Sequence, residues 1–384
     1  MSFKQLKLVL KVGQLLAITP GYKETENQTF LRKLYAFFMI GLITIGVSVS
    51  GVYRYRYYVN FIQMKAVIQI LLDSALYILN IYAVLMAVCK RTQWFKLIKN
   101  LKKTQNVTNE KSHLWAFIAS NFFYWGMEVH MTYLFTKIMD VEFYKQFAIE
   151  YLQMYSQFLI YFLLHVLLKM IISRYRSITN ILNDQLGLIR KLERRQLRPR
   201  YPMTCLRKLK YDICLLKETV DIFNNIFGWP ILFSIIFTSL QVLIYLQVIF
   251  TRGFKTVETV VYSFSIIFWH SAWTFIDIFL CDLVTYEVEK IFSVTYSLEK
   301  YFICENKKGS EELQKFIDVL KDNIPSFSAA RFFAINRTTI FGIFNAIITF
   351  LIVLIQFETN QGSGGIHSIF DCHLYCPCNE TQHE

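Results

Sequence analysis

The sequence predicts an all-α membrane protein that crosses the bilayer seven times. Its 384 residues are 54% hydrophobic and 17% aromatic, and they include only 14 Gly and 6 Pro. A soluble domain of this length carries more charged and turn-forming residues. Apolar runs of about 20 residues recur, and each can span a hydrocarbon core about 30 Å thick. The predicted spans are at about residues 35–53, 66–88, 113–135, 148–172, 226–250, 260–281 and 338–357.

Positive charges are divided unequally between the two sets of loops. One set holds 33 of the 41 Lys and Arg residues, while the other holds 7, with none in the tail 358–384. The basic set comprises residues 1–34, 89–112, 173–223 and 282–337. The positive-inside rule predicts a cytoplasmic N-terminus and an extracellular C-terminus. Because the positive charge follows topology, it does not indicate a nucleic-acid partner.

This orientation and the motifs weigh against other functional classes. A G-protein-coupled receptor has the opposite orientation, and neither Asp-Arg-Tyr after span three nor Asn-Pro-x-x-Tyr in span seven is present. A membrane transporter stays an alternative, although the sequence has no internal repeat or paired broken helices. Hydrolase, zinc-protease and phosphate-loop motifs are missing from the sequence, so we predict no enzyme activity, cofactor or metal site.

Helical periodicity continues outside the spans. Apolar residues at spacings of three and four predict cytoplasmic helical extensions over 173–225 and 282–337, which could form one chain's own core or an assembly surface. The segment Phe3–Thr19 places Lys4, Lys7 and Lys11 on one face of a helix. We expect it to lie on or dip into the membrane, with an ordinary cytoplasmic helix as the alternative.

The segment after span seven predicts a disordered extracellular tail over 358–384. The chain has four glycosylation sequons, at Asn27, Asn106, Asn336 and Asn379, and the predicted orientation exposes only Asn379 to the lumen. The tail also holds Cys372, Cys376 and Cys378, which allow one disulfide. The other five cysteines are expected to be reduced.

The outer halves of spans two to six mix aromatic and polar residues. A few polar groups among aromatic rings are typical of a small-molecule pocket. The alternative is a packed interior with interhelical hydrogen bonds and an interfacial aromatic belt. The candidate pocket residues are Asp73, Tyr77, Tyr124, Glu128, Tyr155, Gln241, Tyr245, Trp269, His270 and Trp273.

Span seven carries one narrow stripe of mostly small and polar side chains at spacings of three and four. The stripe consists of Thr338, Gly342, Asn345, Thr349, Val353 and Gln356. Such a stripe can be a close contact between two helices. It also has the properties of a pore lining, which a ring of identical subunits would form from one helix per chain.

The end of this span resembles the C-terminal signature of insect gustatory receptors, usually Thr-Tyr, five apolar residues and Gln-Phe. Here Thr349 and Phe350 are followed by five apolar residues, Gln356 and Phe357. The segment Ala330–Arg337 is similar to the one before their last span, and Asn224–Trp229 to the start of their span five. Phe350 departs from the usual Tyr, so a hydrogen bond from that hydroxyl is lost.

The resemblance implies a tetrameric ligand-gated cation channel related to insect odorant receptors. It would assemble as a homo- or hetero-tetramer with other gustatory receptor subunits, in the plasma membrane of gustatory neurons. Span seven would line the pore, with Gln356 and Phe357 as the outer gate, Val353 one turn below and Thr349 deeper. The outer halves of the earlier spans would enclose a tastant. Leu351 stands where sugar-sensing members often have an acidic residue, which favours a bitter or other non-sugar ligand.

Overall fold

The computed structural model describes residues 3–21, 29–59, 63–104, 114–139, 142–194, 203–252, 257–303 and 307–361. Within these ranges the chain is helical apart from one short hairpin. The predicted sites in the tail and the sequons Asn27, Asn106 and Asn379 lie outside the described residues. The elements are α1 (Phe3–Leu15), α2 (Thr29–Val59), α3 (Gln63–Cys89), α4 (Arg91–Lys103), α5 (Leu114–Met139), α6 (Glu142–Arg194), α7 (Met203–Arg252), α8 (Val257–Ile303), α9 (Lys307–Asp322), β1 (Ser328–Ala329), β2 (Phe333–Ala334) and α10 (Arg337–Gln361).

Seven of these helices coincide with the seven predicted spans. They are α2, α3, α5, α6, α7, α8 and α10. By length and composition, six of the described helices can cross a membrane, all of these except α5. Helix α5 has 26 residues and is long enough, but Asn121, Glu128 and His130 interrupt its apolar residues. The composition of α5 therefore indicates a membrane span less clearly than its position between two other predicted spans does.

The fourth span is the most enclosed of the membrane-crossing helices in the described part of the chain. Residues 158–164 of α6 are each at most 3% exposed, and α6 packs against α8, α2 and α1 among others. The two polar residues near the end of the predicted span have different surroundings. His165 packs edge-on against Trp273, with ring centroids 5.8 Å apart, while Lys169 is exposed. A helix buried on nearly all sides is apolar all round, as this part of α6 is.

Three helices continue far beyond the thickness of a membrane. Helices α6, α7 and α8 have 53, 50 and 47 residues, whereas about 20 suffice for a span. Their extensions pack with α4 and α9 at what we call the basic end of the bundle. Phe223 of α7 and Phe316 of α9 are fully buried there, so the predicted stripes form a core within one chain.

Ion pairs join the helices around this core. Lys210 on α7 donates to Glu312 on α9 at 2.8 Å, and this bond holds the pKa of the Glu312 carboxyl below its usual value. Arg176 on α6 donates to Glu287 on α8 at 2.8 Å. In the described part of the chain, Cys89, Cys205, Cys214 and Cys281 are unbridged thiols.

The N-terminal helix differs from the first expectation. Its apolar face packs on α6 instead of facing lipid, since Leu6, Val9 and Leu10 are at most 1% exposed and belong to the main core. The connection to α2 is tied down as well, because Arg32 donates to the carbonyl of Pro20 at 2.6 Å. A helix that lies on lipid and a helix that packs on another helix both have an apolar stripe. The sequence pattern alone therefore did not distinguish these two placements.

A two-stranded hairpin joins α9 to α10 and docks on α7. In it Ser328 pairs with Ala334 and Ala329 with Phe333, and the turn between the strands has positive φ at Ala330 and Arg331. The Asn224 amide donates to the Ser326 carbonyl at 2.7 Å and accepts from the Ser328 amide at 3.2 Å. Asn224, in one segment of the family resemblance, therefore holds the hairpin strand that pairs with the other segment.

The close approach of the hairpin to α7 depends on a glycine. A Cβ atom at Gly228 would lie 2.9 Å from the Ala330 nitrogen and 3.2 Å from its Cα. Beyond the hairpin, Asn336 caps α10, because its side-chain oxygen accepts from the Thr339 amide at 3.3 Å. The hairpin and the cap therefore fix the start of α10, which also packs directly on α7 and α8.

Candidate ligand site and channel helix

An aromatic cluster occupies the space between α5, α6 and α8. Phe158 lies at its centre, with ring centroids 5.1 Å from Tyr124, 5.7 Å from Trp269 and 5.9 Å from Trp273. Tyr155 joins it, 5.5 Å from Tyr124. These distances are within the usual range for interacting rings. Four of the ten predicted pocket residues are therefore brought together around one phenylalanine.

Polar groups lie along the α5 side of the aromatic cluster. The Tyr155 hydroxyl donates to the Asn121 side-chain oxygen at 3.1 Å. Glu128, one helical turn after Tyr124, is partly buried on the same helix. The cluster thus combines flat apolar surfaces with hydrogen-bonding groups, the composition of small-molecule sites.

Asp73 belongs to a different cluster, between α2, α3 and α6. Arg54 donates to Glu150 at 2.6 Å and lies 3.4 Å from Asp73. Its Nε also donates to the Gln146 carbonyl at 3.0 Å, and its guanidinium lies 4.5 Å from the centroid of the Phe147 ring. The side chain of Arg54 is only 8% exposed, so this cluster is a buried ionic contact between helices.

The remaining predicted pocket residues are spread over other contacts. Tyr77 lies 3.1 Å from the Thr44 hydroxyl, between α3 and α2. His270 on α8 packs edge-on against Phe237 of α7 at 5.5 Å. Gln241 is buried and Tyr245 half-buried on the same helix, α7. None of these placements tests ligand binding, so the predicted pocket stays a prediction.

An open cleft lies between α5 and the start of α6. It has a volume of about 520 Å³ and is lined by Val129, Thr132, Tyr133, Thr136 and Tyr144. Glu128 and Thr132 are consecutive turns of α5, since the Thr132 hydroxyl donates to the Glu128 carbonyl at 2.8 Å. The cleft is large enough for a small molecule, and its first α5 residue, Val129, follows Tyr124 of the aromatic cluster by five positions.

Three important features were missed by sequence reasoning. Phe158 gave no signal, because a phenylalanine in an apolar span is ordinary. Arg54 and Glu150 lie at predicted span ends, where charges are common. Asp277 gave a usable signal, since a carboxylate inside an apolar span, here four residues before its predicted end, supports a functional hypothesis by default.

Helix α10 shows most of its surface to the outside of the chain. Only about a fifth of its apolar segment is buried, chiefly at Ile343, Ile347 and Leu354. At about 100° per residue, the predicted polar stripe lies roughly opposite these three. Its members are exposed, except Val353, which is partly buried. The side chain of Phe357 lies outside the described residues.

The stripe is flanked by large apolar side chains. Phe341 is 73% exposed, and Ile348 and Ile352 are more than half exposed. Within the stripe, the Thr349 hydroxyl donates to the Asn345 carbonyl at 2.8 Å, which satisfies its hydrogen and leaves oxygen lone pairs outward. The exposed surface of α10 therefore has a polar stripe and an apolar flank side by side, and the two suit different environments.

Comparison with known proteins agrees with this architecture. A family model described as 7tm Chemosensory receptor matches residues 6–361. The structure is similar to that of the insect olfactory receptor OR5 from Machilis hrabei, with a TM-score of 0.63 and 12% identity, covering 92% of this chain and 97% of that one. The same receptor in complex with eugenol gives a TM-score of 0.62 and 13% identity, covering 91% and 98%.

A search of curated proteins found no significant match. The family match covers nearly the whole chain and includes all seven predicted spans. A receptor family also agrees with the prediction that the chain is not an enzyme. The chain therefore belongs to the seven-transmembrane chemosensory receptor family.

Proposed function

We propose that this chain is a gustatory receptor, a subunit of a tastant-gated, non-selective cation channel. The observation that carries the proposal is the polar stripe of α10, which faces away from the chain's own core. The exposed amide of Asn345 would be costly against lipid, because hydrocarbon offers no hydrogen-bond partners. A water-filled path removes that cost.

One chain does not enclose such a path with α10 on its periphery. Four copies around an axis would place four α10 helices together, with their stripes inward and their apolar flanks against neighbouring subunits or lipid. Membership of the chemosensory receptor family supports this arrangement. The subunits would be identical or would include other gustatory receptors.

The gate is assigned to the last turns of this helix. Gln356 would face permeating cations, Phe357 would close the outer mouth, and Val353 and Thr349 would line the path below. The test is to record currents from cells expressing Gln356→Ala and Phe357→Ala. We expect altered basal current or ion selectivity. Unchanged basal and evoked conductance in both variants would overturn the pore assignment.

A matched control for the gate variants lies on the same helix. Phe341 is 73% exposed but lies on the apolar flank, so Phe341→Ala removes a large side chain without touching the stripe. The reversal potential of the Phe341→Ala channel should equal that of the unmodified channel. A shift as large as that of Gln356→Ala would mean that the flank, and not the stripe, faces the ions.

The ligand is assigned to the aromatic cluster and to the cleft further along α5. Small aromatic or heteroaromatic tastants, bitter or otherwise non-sugar, match its rings and its few polar groups. The complex of the Machilis receptor with eugenol supports a ligand of this size. A tastant panel on cells expressing this chain alone would test both the ligand class and whether one kind of subunit suffices.

The proposed orientation places the basic end in the cytoplasm of gustatory neurons and the C-terminus outside. The charge asymmetry supports it, because the positive-inside rule counts Lys and Arg near the span ends. Removing each sequon in turn and following the glycosylated mass tests it. A glycan at Asn379 alone agrees with the proposal, whereas one at Asn27 or Asn106 reverses the topology.

A further inference from the structure

Two basic residues lie close together where α3, α7 and the hairpin meet, and we call them the cation pair. Lys90 follows the end of predicted span two, and Arg331 lies in the turn of the hairpin that precedes span seven. The Lys90 ammonium donates to the carbonyl of Asn225, just before span five. One turn further along α7, Gly228 lies against Ala330 of the hairpin turn. The cation pair is therefore at the level where three predicted spans end.

The two charges lie near each other without a carboxylate between them. Burial lowers the pKa of the Lys90 ammonium, and the positive charge of Arg331 lowers it further. Within the described ranges of the chain, neither side chain forms an ion pair with Asp or Glu, and Arg331 is exposed. Two cations that repel each other are both stabilised when an anion binds beside them. The cation pair therefore favours an anionic ligand.

Aromatic rings lie on the membrane side of the cation pair. Span two precedes Lys90 and span five follows Asn225, so Tyr82 and Trp229 both lie nearer the middle of the bilayer. The Trp229 ring centroid is 6.4 Å from that of Tyr82 and 5.7 Å from that of Phe332. Trp229 is 40% exposed and Phe332 is 68% exposed. Exposed Trp and Tyr rings at a span end are typical of the interface between membrane and water.

Positive charge beside exposed rings matches one class of ligand. A phospholipid has its phosphate at the membrane interface and its acyl chains in the adjoining hydrocarbon. A soluble anion would use the charges but not the rings, and an uncharged lipid would use the rings but not the charges. We propose that Lys90 and Arg331 bind the headgroup of an anionic phospholipid, whose acyl chains lie along Trp229 and Phe332. The proposed orientation matters only for the leaflet, since the cytoplasmic leaflet supplies anionic lipids.

The bound lipid would connect the end of α3 to the hairpin that leads into α10. Lys90 lies between α3 and α4, whereas Arg331 lies between the two strands of the hairpin. The second strand is followed by Asn336, which caps α10. A headgroup that binds both cations would therefore help to hold the hairpin on α7 and to stabilise the start of α10.

The test is a lipid titration of the purified full-length chain, read by native mass spectrometry. The chain is titrated with phosphatidylserine or with phosphatidylcholine of the same acyl chains. We expect the first phosphatidylserine to bind roughly tenfold more tightly than phosphatidylcholine. Arg331→Gln should weaken phosphatidylserine binding about fivefold, because one basic residue near the membrane surface contributes about that factor. Arg331→Lys keeps the charge and should keep most of the affinity.

Two further variants and one competitor complete the test. Lys90→Gln should weaken phosphatidylserine binding as Arg331→Gln does. Lys191→Gln is the matched control, because Lys191 is exposed on α6 well beyond the predicted end of span four at residue 172, and it should change nothing. Glycerophosphoserine has the same headgroup without acyl chains, and an equimolar amount should not displace the lipid.

Three results would overturn the proposal. The first is equal affinity of the unmodified chain for phosphatidylserine and phosphatidylcholine. The second is unchanged phosphatidylserine binding in both Arg331→Gln and Lys90→Gln. The third is displacement by glycerophosphoserine, which would indicate a site for a soluble anion. Because binding is measured on the purified chain without any current, a failure here is distinct from a failure of the proposed channel function.

Discussion

Replacing Gly228 with alanine isolates the contact between α7 and the hairpin that leads into α10. Helix propensity alone predicts a gain, since alanine is favoured over glycine inside a helix by about 1 kcal/mol. The structure predicts a loss instead. The new Cβ would lie 2.9 Å from the Ala330 nitrogen and 3.3 Å from the Ser328 oxygen, and both are backbone atoms.

The hairpin has little freedom to yield. Its turn is already held at φ values of 49° at Ala330 and 66° at Arg331, a region that costs non-glycine residues energy. Overpacking of this kind costs about 1–3 kcal/mol, and moving the hairpin also strains the two hydrogen bonds of Asn224, each about 1 kcal/mol. After the propensity gain, we expect a net loss of about 1–3 kcal/mol.

The assay is thermal unfolding of the purified chain, with surface expression measured in parallel. Gly187→Ala is the matched control, because Gly187 is also helical and a Cβ there meets nothing within 4 Å. The control should be as stable as the unmodified chain or slightly more stable. If Gly228→Ala behaved like Gly187→Ala, the hairpin would not be held against α7 as described.

Three further changes test other parts of the molecule. Arg54→Ala should destabilise the chain by about 3–5 kcal/mol in thermal unfolding, because Glu150 would stay buried without this partner. As a control, Lys217→Ala at an exposed ion pair should destabilise it by less than about 1 kcal/mol. Trp269→Ala should weaken the tastant response by at least tenfold in ligand concentration while Trp269→Phe keeps most of it, as read from evoked currents; equal effects would remove the aromatic cluster from the site. The depressed pKa of Glu312 means that its ion pair stabilises the fold fully above the ordinary carboxyl pKa and loses this effect as pH falls through the depressed value. Glu312→Gln should therefore flatten the acid side of a plot of stability against pH. An unchanged plot would contradict the pairing.

Much of the architecture follows from hydrophobic periodicity. The seven spans were predicted from the length of their apolar runs, and the extensions of α6, α7 and α8 from apolar residues that repeat every three or four positions. Confirmation of the family shows that the short motifs before and within α10 were informative. The structure adds how two of these segments meet, since Gly228 of the first lies against Ala330 of the second.

Pairings between distant helices were not predictable in the same way. Asp73 and Tyr124 both lie in the outer halves of spans, yet the first binds Arg54 and the second packs on Phe158. Periodicity gives the face of each helix but not its neighbour. The two-residue strands of the hairpin could not be predicted from the sequence either, because such short pairings are set by the turn and by docking on α7.

Cysteine accessibility along α10 tests the central claim most directly. Thr349→Cys and Gln356→Cys lie on the stripe, Ile348→Cys on the exposed apolar flank and Ile347→Cys on the buried face. A charged thiol reagent applied from water should block evoked current at the two stripe positions and leave the other two unaffected. Block at Ile348→Cys with none at Thr349→Cys and Gln356→Cys would contradict the pore assignment of the stripe.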